Sequence, residues 1–189
     1  MNLPVIVIHE FMKFSEEEIE IMREDALFSY EEALNADPDA YKTNVSLIRD
    51  RSENFSKIYQ KFLEKSEEFF GELSLLEENS TSCHCFFQNS DFWDFNPHIH
   101  DNCDINSVYY LKVPRKNRKY CGPIMFTNDP NGGEWEQYQP KPDDMIIFPG
   151  DLWHDPLFTE SSEWRISVNM EIQCENKISW SDYDINNTK

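Results

Sequence analysis

The sequence has no apolar run approaching the ~20 residues that a membrane-spanning helix needs. It is also poor in basic residues: 17 Lys and Arg stand against 36 Asp and Glu, for a formal net charge of −19. A chain this acidic repels phosphate backbones, which argues against nucleic-acid binding as its main task. The plain role of the charge is a solvated surface, and it would suit a basic partner. The first residues lack the basic n-region and long apolar core of a signal peptide. Cysteines are few and odd in number: Cys83, Cys85, Cys103, Cys121 and Cys174. Reduced thiols in a cytoplasm are therefore expected, not a disulfide framework. An internal repeat, a βαβ alternation and any mark of a second domain are missing too. At 189 residues the chain is long enough for one domain with a sizeable core.

What is present reads as a folded, mainly β chain with helices at its start. The hydrophobic fraction is 39% and the aromatic fraction 14%, too much apolar matter for disorder. Leu3–Ile8 is a β-branched run. Ser15-Glu16-Glu17-Glu18 is a capping box, and Ile19, Met22, Ala26, Tyr30 and Ala33 follow at helical spacing, with a stop before Pro38. A second stripe, Phe55, Ile58, Tyr59, Phe62, Phe69 and Phe70, is closed by Gly71. Both helices are expected to cover the outer face of a sheet.

From Ser82 on, short strands take over: Ser82–Gln88, Phe92–His100, Ser107–Val113, Pro123–Thr127, Met145–Phe148, His154–Phe158 and Trp164–Gln173. Gly, Pro, Asn and Asp breaks separate them. Many short strands so punctuated mean a sandwich or jelly roll. The expected layout is one domain over 1–189, with a helical part to about residue 80, a β core over about 81–175 and a short polar tail in which Trp180 and Tyr183 are positioned to dock.

The chemistry concentrates in the second half. His98 and His100 stand at i and i+2, so in a strand both rings point one way and could grip one ion. His154 follows the turn Phe148-Pro149-Gly150-Asp151, and Arg165 sits in the alternating run Trp164-Arg165-Ile166-Ser167-Val168-Asn169-Met170. An inward arginine needs a partner, because a buried unpaired charge is very costly. That partner is either a structural Asp or an anionic ligand. Cys83-His84-Cys85 resembles a metal motif, but strand alternation sets His84 on the face opposite the cysteines. Trp93, Phe95, Trp153 and Asn169 are candidate pocket walls, and each equally suits the core.

In order along the chain stand His98-Ile99-His100, Tyr109-Tyr110-Leu111, Gly122-Pro123-Ile124-Met125-Phe126, Phe148-Pro149, His154 and Arg165-Ile166-Ser167. This ordered set, over roughly residues 85–173, resembles the 2-oxoglutarate- and Fe(II)-dependent oxygenases, most closely their small prolyl-hydroxylase-like branch. The resemblance implies a double-stranded β-helix, or jelly-roll, core. It implies Fe(II) held by His98, His154 and a third group on one face of an octahedron, leaving positions for 2-oxoglutarate and O2. Arg165 would pair with the distal carboxylate of 2-oxoglutarate, with Tyr110 and Ser167 as hydroxyl donors beside it. The implied reaction is hydroxylation of a peptidyl proline, an amino acid or another small substrate.

The family places a carboxylate where this chain has His100. By position the second ligand is His100, Asp101 or Asp104; His100 has the right strand parity, and the aspartates lie on the loop that follows. His100 could also be the first ligand, with His98 a pocket wall. Two other functions share the features: a cupin-like metal dioxygenase with three histidines that does not use 2-oxoglutarate, and a non-catalytic β-sandwich binding module. Fold alone does not choose among them.

Overall fold

The computed structural model describes residues 3–38, 40, 42, 52–76, 81–91, 96–178 and 180. Strand β1 (Ile6–Ile8) is followed by helices α1 (Glu16–Ala36) and α2 (Glu53–Phe70). Then come β2 (Thr81–Gln88), β3 (Ile105–Lys112), the two-residue strands β4 (Arg115–Lys116) and β5 (Lys119–Tyr120), β6 (Ile124–Thr127), β7 (Glu136–Tyr138), β8 (Met145–Pro149), β9 (Trp153–Pro156) and β10 (Arg165–Ile172).

The first helix begins as its sequence dictates. Ser15 accepts from the amide of Glu18, the Glu18 carboxylate accepts from the amide of Ser15, and three glutamates sit at the positive end of the dipole. It ends at Ala36, ahead of Pro38. The second helix ends on Gly71, whose φ of 82° is one that glycine adopts without penalty.

Among the described residues the short strands pair antiparallel, and two facing sheets of them form a jelly roll. The larger sheet runs β1-β8-β3-β10-β2 and the smaller β7-β6-β9, with β4 and β5 as a separate ribbon. Period-two alternation sorts the larger sheet into two faces. Cys83, Cys85 and Phe87 of β2, Tyr109 and Leu111 of β3, Met145 and Ile147 of β8, and Ile166, Val168 and Met170 of β10 pack against Met22, Ala26, Tyr30, Phe55, Ile58 and Phe62 of the helices. The opposite face meets the smaller sheet through Val108, Tyr110, Ile124, Phe126, Ile146 and Phe148. Every functional candidate on β3 and β10 belongs to this inner face. No helix among the described residues is long and apolar enough to cross a membrane.

The expected strand Phe92–His100 is a correction: residues 92–95, with Trp93 and Phe95, lie outside the described residues, and the remainder joins no ladder. It makes one isolated bridge, His98 with His154. Of the tail, Tyr183 also lies outside the described residues, whereas Trp180 docks through Nε1 on the carbonyl of Asp104 at 3.2 Å.

Asp143 ties the start of the chain to the sheet. Its carboxylate accepts from the amides of Met12 and Lys13 and from the Tyr109 hydroxyl, each at 2.9 Å, and its φ is 69°. Alanine there removes three acceptor contacts and keeps an unfavourable backbone angle, so Asp143→Ala is expected to cost about 2–3 kcal/mol. Asp143→Asn, which tolerates that angle, should cost less. Calorimetric melting checks both: a fall of about 5–10 °C is expected for the alanine variant, and an unchanged melting temperature would show the contacts to be idle.

Candidate active site

Three histidines from different parts of the chain converge. One ligand atom from each of His98, His100 and His154 lies within 4.8 Å of the others. The ring centroids are 4.4 Å apart for His98–His154, 5.2 Å for His98–His100 and 5.1 Å for His100–His154. Asp101 and Asp104 are not in this group. Asp101 is exposed, and Asp104 uses Oδ2 to accept the amide of Cys174 at 2.9 Å.

Backbone geometry fixes two of the rings. The amide of His98 donates to the carbonyl of His154 and the amide of His154 to that of His98, both at 3.1 Å. Each ring then places Nδ1 on a carbonyl two residues back, His98 on Asn96 at 2.7 Å and His154 on Leu152 at 3.0 Å. A ring donating from Nδ1 keeps the lone pair of Nε2 for a metal. His100 is set differently, on the turn after the bridge. Its amide donates to the carbonyl of Gly150 at 2.8 Å, and its Nδ1 lies 3.0 Å from Glu171 Oε1. Gly150 is required here because a Cβ would stand 2.0 Å from the Cys103 carbonyl oxygen.

Burial pushes His154 down to about 3, helped by the neighbouring His98, and also lowers His98, against the pull of the Asn96 carbonyl. Both rings are thus neutral at ordinary pH, the form that binds metal. Three imidazoles of this spacing fit a divalent first-row ion such as Fe(II).

A cavity of about 70 Å³ runs from these rings to Arg165, past Tyr110, Ser167 and Asn169. Arg165 is only 2% exposed. Its Nη1 donates to the carbonyls of Gly122 at 2.6 Å and Leu157 at 3.2 Å, while its buried Nε has no partner. Gly122 adopts a φ of 76°, and any Cβ there would lie 2.6 Å from Arg165 Nη1. Burial draws the Arg165 pKa downward, opposed by Tyr110 and Asp155. Tyr110 and Ser167 are paired across β3 and β10, and burial pushes the Tyr110 hydroxyl up to about 12, so it remains a donor. A buried guanidinium with an unused donor, making no ion pair among the described residues, fits a ligand carboxylate.

The sequence reading missed Glu171 and the cavity walls Phe86, Gln88 and Pro156. Glu171 had a signal: it continues the alternation Arg165, Ser167, Asn169. Of the proposed walls, Asn169 lines the cavity and Trp153 does not. His84 does face away from Cys83 and Cys85, which are buried in the helix-side core.

Residues 93–171 match the family model described as "Putative 2OG-Fe(II) oxygenase". No curated protein matches the sequence. Among solved structures, a prolyl 4-hydroxylase from Phytophthora capsici superposes with a TM-score of 0.61 at 13% identity, covering 91% of this chain and 59% of that one. A prolyl-4-hydroxylase from Pseudomonas putida gives 0.59 at 13% identity, covering 93% and 90%. The Trichoplax adhaerens prolyl hydroxylase, solved with a hypoxia inducible factor peptide fragment, gives 0.57 at 13% identity, covering 92% and 85%. Identities this low speak for the fold. Over residues 93–171, which carry the site-bearing strands, this chain is similar to the 2-oxoglutarate- and Fe(II)-dependent oxygenases, and its fold is similar to that of the prolyl hydroxylases.

Proposed function

We propose that this protein is an Fe(II)- and 2-oxoglutarate-dependent dioxygenase that hydroxylates a peptidyl proline, an amino acid or another small substrate. His98, His100 and His154 hold the metal through Nε2. Arg165 pairs with the distal carboxylate of 2-oxoglutarate, and Tyr110 and Ser167 donate hydrogen bonds to it. The buried inner-face side chains Val108 and Ile124 line this cavity and give it an apolar wall. Bound together, Fe(II) and 2-oxoglutarate supply oxidative decarboxylation coupled to insertion of oxygen into a C–H bond. A second cavity of about 640 Å³ opens beside His100, lined by Asp101, Asp104, Asp151, Glu175, Lys177 and Trp180 among others. Its size and position suit a substrate side chain or a peptide, the kind of ligand in the Trichoplax complex.

The observation that carries the reading is Arg165, a buried cation at the far end of the histidine cavity with a donor to spare. The test is anaerobic addition of Fe(II) and then 2-oxoglutarate, followed in the visible range. A metal-to-ligand charge-transfer band that appears only with both is expected. Iron binding without the band would favour a three-histidine dioxygenase that does not use 2-oxoglutarate, and no iron binding would favour a binding module.

A further inference from the structure

A divalent ion among three neutral imidazoles stands one full charge more positive than one held by two imidazoles and a carboxylate. The structure places a carboxylate directly behind one of these rings, that of His100. Glu171 Oε1 is 3.0 Å from His100 Nδ1, with the two side chains only 24% and 20% exposed. The same oxygen accepts from Asn169 Nδ2 at 3.1 Å. Glu171 is not a surface acid that happens to reach in. Alternation along β10 sets it on the inner face with Arg165, Ser167 and Asn169, and its partner across the ladder is the fully buried Asn106 of β3.

We propose that Glu171 is the carboxylate of this metal centre, held one imidazole away from the ion. By accepting the Nδ1–H of His100 it fixes that ring's tautomer and leaves the Nε2 lone pair for the metal. It also returns the negative charge that the replacement of a ligand carboxylate by His100 removes. Glu171 is thus a positioning residue that acts through His100, and the inference rests on the three-histidine reading of the centre. His98 and His154 need no such partner, because backbone carbonyls already hold their Nδ1 atoms. His100 lacks a carbonyl in that place and takes a side chain instead.

Outer partners of this kind are typically worth about 10–100-fold in metal affinity. The experiment is titration of the full chain with Co(II), read by affinity and by the visible d–d spectrum, for wild type, Glu171→Gln, His100→Asp and the double variant. Glu171→Gln should weaken Co(II) binding by about 10–100-fold and shift the bound spectrum, with the metal-free melting temperature unchanged. In the His100→Asp background, where the carboxylate sits on the ion itself, the same change should cost nothing. A merely structural Glu171 would instead cost the same in both backgrounds and leave the bound spectrum alone, and either result overturns the proposal. A measurement without variants at Glu171 stands beside it: nitrogen NMR of metal-free wild type should show the Nδ1–H tautomer at His100, and the Nε2–H tautomer would overturn the proposal. Failure of wild type to bind Co(II) would bring down the centre itself and this inference with it; tight wild-type binding with an equal Glu171→Gln affinity would bring down the inference alone.

Discussion

Arg165→Ala should lower the affinity of the Fe(II)-loaded protein for 2-oxoglutarate about 100-fold. The guanidinium is buried and tethered by Nη1 to two carbonyls, so it enters the site already oriented. Losing a charge-assisted contact of this type leaves a ligand carboxylate buried without its partner, at a cost of about 3 kcal/mol, and 1.4 kcal/mol is one decade. Arg165→Lys should recover only part of this, because an ammonium group cannot present the planar fork. Metal affinity should be nearly unchanged, since Arg165 lies at the other end of the cavity. Titration of 2-oxoglutarate into each Fe(II) form under nitrogen measures all three statements. Equal affinities in wild type and Arg165→Ala would remove Arg165 from the site. Metal affinity and the melting temperature of the alanine variant separate a local loss from a general one, because the Gly122 and Leu157 carbonyls also lose their donor.

His154→Ala should abolish stoichiometric iron at micromolar Fe(II), and His98→Ala should do the same. In each case two imidazoles remain, and the lost ring is one that the backbone had set in place. The His154 ring also packs on Phe148, with centroids 4.8 Å apart. Its removal therefore opens space in the inner core, and circular dichroism of the metal-free variant must accompany the metal analysis. A folded His154→Ala protein that retains one equivalent of iron would reject the assignment of His154 as a ligand.

Much of this arrangement was legible because period and punctuation are local signals. The Ser15–Glu18 box, the stripe from Phe55 to Phe62 and the alternation of β3 and β10 each follow from neighbouring residues alone. The β4–β5 ribbon and β7 were not read, since two or three residues are too few to establish an alternation in sequence. His98 and His100 were expected to converge through strand parity. Their rings do converge, but through one bridge to His154 and a turn closed on Gly150, contacts between segments far apart in sequence. The same holds for Glu171: its strand face could be read, while its meeting with His100 depends on how the 100–104 loop folds back. Competition between His100, Asp101 and Asp104 was beyond sequence for that reason.

The reciprocal backbone pairing of His98 with His154 has a kinetic consequence for the proposed centre. Two of its rings are fixed jaws, set by backbone contacts of their own segments, so little ordering would remain for a metal to drive. The third ring rides on a turn and is held from behind by a side chain on another strand. An ion would then enter and leave past His100, on the side where the larger cavity opens. Exchange would be paced by the opening of that one latch, while the two jaws keep their spacing.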